Sequence, residues 1–344
     1  MAKRKAAARP AAPLLAHRGF FKRKRVLVTG GLGFIGSNLA RRLVALESDV
    51  LLLDNLQPEM GANWANVAEI RDRVRVETFD QCEAQNLAWL AAGCDVVFNL
   101  AGNVSHIDSM RDPLADEHAN VRAHIALLET MRAVNPAARI VYAGTRQVYG
   151  RPRYLPVNEA HPTEPTDVNG AHKLAAEHLH LVYHRAHGLP ATVLRLSNTY
   201  GPRQLMRHNR QGFIAWFVRQ ALDGETIQLY GDGTQQRDLD YVDDVVEAFL
   251  AVAAEPATSG EVYNLGGGRP CSLLEIAKLL VELCPAARYR TVPFPPEKQA
   301  IDIGDYYADT SKLRRAVGWV PVVPLAEGLR RMLAFYCDRK AEYW

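Results

Sequence analysis

Short apolar runs alternate with amphipathic stretches along the first two hundred residues. Runs of five or six mainly aliphatic residues predict buried strands, and apolar residues three or four positions apart predict helices. The predicted strands are 25–29, 50–54, 74–78, 95–100, 139–143 and 191–196, and the predicted helices are 36–46, 114–133 and 170–187. Because this alternation is typical of a parallel sheet covered on both faces, we expect an α/β fold with a doubly wound, Rossmann-type parallel sheet.

The pattern changes after residue 197. Glycines and prolines break the chain into shorter elements there, although 241–254 and 272–283 still predict amphipathic helices. We therefore expect a smaller C-terminal lobe. The predicted organisation is a basic tail without order at 1–23, the Rossmann domain at 24–197 with a returning segment near 237–266, and the lobe at 198–236 and 267–344.

Charge is unevenly distributed around the formal total of +3. Residues 1–25 contain nine Lys and Arg and no acid, so the rest of the chain has 32 basic and 38 acidic residues. An acidic body argues against nucleic acid as a partner. The basic segment fits a transit peptide, a nucleic-acid arm or an inert extension, and we favour the inert extension.

Composition indicates an ordinary globular chain, with 48% hydrophobic and 23% charged residues. No apolar run approaches the ~20 residues that cross a bilayer, so we expect no membrane partner. The five cysteines are widely spaced and form no C-x-x-C pair. This is typical of reduced thiols in a cytoplasmic protein, and it predicts no metal site.

Three glycines between the first strand and the first helix form a candidate phosphate-binding loop. Gly30 permits a tight turn, Gly33 lets the backbone approach a pyrophosphate, and Gly36 lets the helix pack on the strand. Asp54 ends the second strand 18 residues after Gly36. A carboxylate there accepts hydrogen bonds from the ribose hydroxyls and repels a 2′-phosphate, which favours NAD over NADP.

This loop, with the sequence Thr-Gly-Gly-Leu-Gly-Phe-Ile-Gly, resembles that of the extended short-chain dehydrogenase/reductase family, whose members act on nucleotide sugars. Further segments resemble the family in the same order along the chain, and they are 99–102, 148–150, 194–203, 230–233, 237–244 and 304–312. The resemblance implies an NAD cofactor and a nucleotide-sugar substrate. It assigns NAD contacts to Gly30, Gly33, Phe34, Ile35, Gly36, Asp54, Asn55, Asp80, Leu100, Ala101, Gly102 and Lys173.

The family's chemistry uses a hydroxyl, a Tyr that moves a proton, and a Lys four residues after that Tyr. The hydroxyl position corresponds to Thr145 and the Lys position to Lys173, but the Tyr position holds Asn169. An amide neither gives nor takes a proton near neutral pH, so the usual acid/base group is absent. Three hypotheses follow from this absence. In the first, a neighbour such as His172 or a desolvated Lys173 acts in place of the Tyr. In the second, the reaction needs no such group, and in the third, the site binds its ligands without turnover.

Three further residues are candidates for substrate binding. The resemblance assigns Arg237 to the diphosphate, with an ion pair to Asp238, Asp240 or Asp244 as the alternative, and it assigns Asn198 to the sugar or a phosphate. Arg146 pairs with a substrate anion or faces solvent. A second family Arg is replaced by Asp302.

Related 4,6-dehydratases carry an Asp-Glu pair directly after the Thr, and this chain has Arg146 and Gln147 there. Neither side chain exchanges protons in this way, so the leading hypothesis is an NAD-dependent nucleotide-sugar 4-epimerase. The alternatives are a dehydratase or reductase with a rearranged site, and an NAD- and nucleotide-binding protein with little turnover. Apolar stripes on helices 114–133 and 170–187 predict a homodimer. The sequence leaves the nucleotide, the sugar and the reacting carbon open.

Overall fold

The computed structural model describes residues 17–296, 299 and 302–344. The strands are β1 (Arg25–Thr29), β2 (Asp49–Leu53), β3 (Val74–Glu77), β4 (Val96–Asn99), β5 (Arg139–Thr145), β6 (Ala191–Leu196), β7 (Asn198–Tyr200), β8 (Thr226–Tyr230), β9 (Gln236–Arg237), β10 (Leu239–Tyr241), β11 (Val262–Asn264), β12 (Cys271–Ser272) and β13 (Arg288–Val292). The helices are α1 (Arg18–Phe21), α2 (Phe34–Ala45), α3 (Ala84–Ala91), α4 (His106–Arg111), α5 (Pro113–Glu117), α6 (Ala123–Val134), α7 (Val168–His187), α8 (Phe213–Asp223), α9 (Val242–Ala254), α10 (Leu273–Leu283), α11 (Ser311–Val317), α12 (Leu325–Cys337) and α13 (Lys340–Tyr343).

A seven-stranded parallel sheet forms the centre of the molecule. Its strand order is β11-β6-β5-β4-β1-β2-β3, and every neighbouring pair runs parallel. Helices cover both faces, with α2 and α9 in one apolar cluster and α3 and α6 in another. The predicted α/β fold is therefore confirmed. Because the strands are parallel, their carboxyl ends meet at one edge, where a binding site is expected.

A further apolar cluster belongs to the lobe. It contains buried side chains of α8, α10 and α12, which pack around the parallel β8–β13 pair. Two short ladders, β7–β10 and β9–β12, join the lobe to the region around β6. Between β10 and β12 the chain returns to the main sheet, because α9 packs on that sheet and β11 pairs with β6. In the described ranges, no helix is long and apolar enough to cross a membrane.

The chain departs from the predicted elements at the long helix 114–133. This region consists of α5, a π-helical turn at His118–Arg122, and α6. Asn120 lies in the π-helical turn and is fully buried. A π-helical turn contains one extra residue, which shifts the helical register by one position. Because the apolar stripes on both sides of the turn are intact, the periodicity of the sequence did not reveal it.

The start of the fold lies earlier than the sequence predicted. Residues 1–16 of the expected tail lie outside the described part of the chain, but 17–23 include the helix α1. Phe21 at its end is fully buried, and its ring stacks on that of Phe98 in the sheet at 6.3 Å. The assignment of 17–23 to a tail without order is therefore wrong. The sequence did not indicate the burial of Phe21, because basic residues surround it.

Candidate functional site

A cavity of about 930 Å³ lies at the carboxyl ends of the central strands, between the sheet and the lobe. Its wall includes the glycine loop after β1, the ends of β2, β4, β5 and β6, and lobe residues such as Tyr230 and Phe294. Of the residues proposed from the sequence, His172 is absent from this wall and every other one belongs to it. The cavity therefore brings together candidates spread over more than 200 positions of sequence.

The glycine loop connects β1 to α2 in a conformation that requires its glycines. Gly30 has φ +66°, in the left-handed region, and a Cβ on Gly36 would lie 2.2 Å from the Gly30 carbonyl oxygen. Gly33 is the N-cap of α2 and has no side chain to satisfy the helix's first N–H groups. These N–H groups and the positive end of the helix dipole suit a pyrophosphate.

Asp54 lies at the end of β2 and is nearly buried, with 8% of its surface exposed. Its two carboxylate oxygens accept hydrogen bonds from the Leu32 and Leu56 N–H groups, both at 3.0 Å. Burial raises the pKa of Asp54 above its usual value, and these hydrogen bonds only partly oppose this effect. Each oxygen keeps a lone pair for a ribose hydroxyl at the cavity wall.

Asn55 and Asp80 extend this part of the wall, with the Asn55 Nδ2 3.4 Å from an Asp80 oxygen. Asp80, Cys82 and His118 bring their ligand atoms within 4.8 Å of one another. Burial, followed by the neighbouring Asp80, raises the pKa of the Cys82 thiol to about 11.

Lys173 and Asn120 form a polar cradle below the end of β4. A Cβ on Gly102 would lie 2.5 Å from the Asn120 Oδ1 and 2.8 Å from the Lys173 Nζ. Within the described residues, neither polar atom of the buried Asn120 side chain has a hydrogen-bond partner. Burial lowers the pKa of Lys173 to about 8, although nearby Asp116 acts in the opposite direction. Such unsatisfied groups beside a glycine suit a hydroxyl-rich ligand such as the cofactor's nicotinamide ribose.

Thr145 ends β5 and caps the short 3-10 turn that follows. Its Oγ accepts a hydrogen bond from the Gln147 N–H at 3.2 Å, so its own hydroxyl proton can point into the cavity. Asn169 is 2% exposed, and its Nδ2 donates to the Asn103 carbonyl at 2.9 Å and to Asp116 at 3.0 Å. Both amide protons of Asn169 are therefore committed to other elements.

His172 does not reach the cavity. Its Nδ1 lies 2.8 Å from the other oxygen of buried Asp116, behind Asn169. Residues 169 and 172 are on the same side of α7, but the Asp116 carboxylate binds both and directs His172 away from the site. The position of His172 therefore does not support its hypothesised role as the missing acid/base group.

Sequence reasoning missed a different histidine in the wall. The His106 Nδ1 lies 2.9 Å from the Asp167 Oδ2, and its Nε2 lies 3.0 Å from the Gln147 Nε2. Asp167 is the N-cap of α7 and accepts a hydrogen bond from the Gly170 N–H at 2.7 Å. The only sequence signal was the capping pattern of an acid before a helix, which says nothing of a histidine 61 positions earlier.

Two arginines define the lobe side of the cavity. Arg146 is buried beneath the lobe, with its Nη2 3.3 Å from the Asn198 Oδ1 and its guanidinium carbon 4.9 Å from the Tyr306 ring centroid. Its Nη1 has no hydrogen-bond partner in the described part of the chain. Burial, followed by repulsion from Arg237, lowers the pKa of Arg146 to about 10. Of the two alternatives for Arg146, facing solvent is excluded by its burial, and its unpartnered Nη1 suits an anion.

Arg237 is held by backbone carbonyls and by a carboxylate. Its Nη1 donates to the Gln236 and Gly304 carbonyls at 2.9 and 2.5 Å, and its Nη2 lies 3.3 Å from Asp302. The alternative from the sequence was an ion pair of Arg237 with Asp238, Asp240 or Asp244. In the structure the ion-pair partner of Arg237 is instead Asp302, 65 positions away. Asp302 thus neutralises part of the charge of Arg237.

Comparison with known proteins agrees with this geometry. The model of the NAD-dependent epimerase/dehydratase family matches residues 26–266. A UDP-glucose 4-epimerase of Mycolicibacterium smegmatis is 33% identical, covering 92% of this chain and 99% of the relative. A dTDP-glucose 4,6-dehydratase of Streptomyces griseus is 35% identical, covering 93% of this chain and 95% of the relative.

Solved structures give the same result. A Thermotoga maritima UDP-glucose 4-epimerase with UDP-glucose has a TM-score of 0.82 at 29% identity and covers 92% of this chain and 99% of its own. A Streptomyces venezuelae dTDP-glucose 4,6-dehydratase with NAD has a TM-score of 0.84 at 31% identity and covers 92% of this chain and 98% of its own. The chain belongs to the NAD-dependent epimerase/dehydratase family of enzymes.

Proposed function

We propose that this enzyme is an NAD-dependent nucleotide-sugar 4-epimerase. The observation that carries the proposal is the pair of residues after Thr145. Arg146 is bound to Asn198 and Gln147 to His106, and neither side chain transfers protons between two sugar carbons as a 4,6-dehydration requires. Epimerisation needs only one proton donor and acceptor, because the hydride that leaves the sugar returns to the same carbon.

The role of each residue follows from its position in the cavity. NAD, when bound, supplies the hydride chemistry. The glycine loop and Asp54 hold its pyrophosphate and ribose, and Lys173 holds the nicotinamide ribose. The Thr145 hydroxyl donates to the oxygen of the reacting sugar carbon and orients it.

The lobe side of the cavity holds the rest of the substrate. Asn198, Arg237 and Arg146 bind the anionic part of the nucleotide sugar. Because Asp302 stands where the family has a second arginine, Arg146 provides the second positive charge. Substrate binding then buries the sugar between the end of β5 and the lobe. Water exclusion at this point protects the transient keto sugar.

The direct test is incubation of the NAD-loaded enzyme with UDP-, dTDP-, GDP- and CDP-sugars in D2O, followed by NMR and mass spectrometry. We expect an isomer of unchanged mass that carries no deuterium. Loss of water would identify a dehydratase, and deuterium incorporation would indicate enolisation beside a carbonyl. No conversion in any mixture, with NAD bound, would indicate a binding protein with little turnover.

We further propose that the enzyme is a homodimer in the cytoplasm. Leu114 of α5 is 77% exposed, Ile125 of α6 is 38% exposed and Val182 of α7 is 44% exposed. An apolar surface of this kind is typical of an interface between copies. All five cysteines are unpaired, which is typical of a reducing compartment.

A further inference from the structure

Two aspartate–histidine pairs flank α7, and only one of them faces the cavity. In the pair Asp116–His172, the histidine is outside the cavity wall. In the pair Asp167–His106, both residues belong to the wall. The His106 side chain is 31% exposed, whereas the Asp167 side chain is only 3% exposed. The second pair therefore presents an imidazole to the cavity and keeps its carboxylate behind it.

The contacts of His106 indicate the position of its proton. The Gln147 amide nitrogen is only a donor, and at 3.0 Å from the His106 Nε2 it matches the tautomer with the lone pair on Nε2. In that tautomer the proton is on Nδ1, which lies 2.9 Å from the Asp167 Oδ2 but outside hydrogen-bond geometry in the described structure. Nε2 is thus the basic nitrogen of a residue in the cavity wall. Gln147 links the two groups, because its side chain contacts His106 and its backbone N–H donates to the Thr145 hydroxyl oxygen.

The surroundings of Asp167 keep it ionised. Burial tends to raise the pKa of this carboxyl, but the close His106 ring, the Gly170 N–H and the charge of Arg146 outweigh it and lower the pKa. A buried anion against Nδ1 stabilises the imidazolium that forms when Nε2 takes a proton. Asp167 is therefore suited to position His106 and to support its charge.

We propose that His106, positioned by Asp167, is the acid/base residue that acts in place of the absent tyrosine; this inference rests on the proposed function. A sugar hydroxyl replaces the Gln147 amide at Nε2. Its oxygen gives the proton to Nε2 as the carbon–oxygen double bond forms, and the imidazolium returns the proton to that oxygen when the double bond is reduced from the opposite face. NAD, held by the glycine loop, Asp54 and Lys173, would accept the hydride in the first change and supply it in the second. The acid/base group thus ends in its starting state.

The first test is the variant His106→Gln, compared with His187→Gln at an exposed position near the end of α7. We expect kcat to fall by roughly 10²- to 10⁴-fold in His106→Gln and to stay unchanged in His187→Gln. Calorimetric affinity for the nucleotide sugar should change less than threefold, because His106 acts on the proton. Added imidazole should restore part of the turnover of His106→Ala, which a merely structural role would not allow.

A second test changes Asp167 without removing the helix cap. In Asp167→Asn, one side-chain oxygen still accepts from the Gly170 N–H, since Asn is as good an N-cap as Asp. The amide then donates to Nδ1 and forces the proton onto Nε2. We expect the 15N chemical shifts of His106 to report this exchange of tautomers in the chain without substrate, and kcat to fall at least tenfold.

The outcomes separate this inference from the function on which it rests. If the unaltered enzyme converts no nucleotide sugar, the proposed function fails, and the tautomer experiment still tests the geometry. If the enzyme is active and His106→Gln retains its kcat, the inference is overturned. Loss of turnover in His172→Gln alone would assign the role to the other pair. In the double variant His106→Gln/Asn169→Tyr, recovery of turnover would show that the two positions supply the same proton.

Discussion

At the scale of single residues, the site contains groups whose burial lowers the stability of the folded protein. Lys173 is the clearest case, because its ammonium is buried beside an amide whose polar atoms have no partner among the described residues. Burial lowers its pKa from 10.5 to about 8. Such a strained environment is typical of residues that are selected for binding or chemistry and not for stability.

We predict that Lys173→Met stabilises the chain without cofactor while abolishing turnover. Between pH 8 and 10.5 the unfolded chain holds a proton that the folded chain has lost, so the stability of the original protein rises with pH in this window. Below pH 8 the full cost remains, about 3 kcal/mol. Urea unfolding should therefore show a stabilised variant at pH 7 and a much smaller difference near pH 10. An equal difference at both pH values would contradict the burial of a charged Lys173.

Asp302 gives a second prediction at this scale. Asp302→Asn removes the negative charge and keeps one of the two oxygens that accept from Arg237 and from the Gly304 N–H. Titration calorimetry should show several-fold tighter binding of UDP or dTDP, which corresponds to about 1 kcal/mol, with a steeper dependence on salt. Asp72→Asn, at an exposed position, is the control. Weaker binding would mean that the charge of Asp302 is needed to orient Arg237.

At the scale of elements, α1 is an integral part of the fold. It is only four residues long, and it owes its place to Phe21, which fills a site on the sheet between Phe98 and neighbouring aliphatic side chains. So short a helix has little stability of its own, because the cost of nucleation exceeds the gain from one turn. Tertiary packing therefore holds this element.

We predict that Phe21→Ala lowers the free energy of unfolding by about 3–5 kcal/mol, the usual cost of a large cavity in a core. Phe21→Leu, which keeps most of the volume, should cost clearly less. Denaturant unfolding followed by circular dichroism measures both. A loss below about 1 kcal/mol for the alanine variant would mean that α1 detaches without consequence for the sheet.

At the scale of the whole molecule, the sheet and the lobe meet over the cavity, while the exposed apolar faces of α5, α6 and α7 lie on the outside. Leu114→Asp should convert the proposed dimer to a monomer, because it places a charge in an apolar interface. Light scattering after size exclusion measures the mass directly. Val320→Asp, at a 47% exposed position in the C-terminal part, should leave the mass unchanged. A monomer mass for the unaltered protein would refute the dimer.

The sequence by itself determined six of the seven strands of the sheet and the glycine loop, whereas the three-residue strand β11 and the helix α3 were not predicted. These features depend on local patterns, namely strand-length apolar runs, helical periodicity and glycines where the backbone needs them. It also located the cofactor side of the cavity, since those residues follow directly after predicted strands. Their proposed contacts with NAD remain predictions.

Only the tertiary structure decided which partners the polar side chains have. It paired His106 with Asp167, gave Asp116 to both Asn169 and His172, and joined Arg237 to Asp302. Each of these contacts joins residues between 53 and 65 positions apart. A hydrogen bond or ion pair depends on distance and direction between side chains from different elements, and local periodicity carries neither. For that reason the missing tyrosine was visible in the sequence, and its candidate replacement became visible only in the fold.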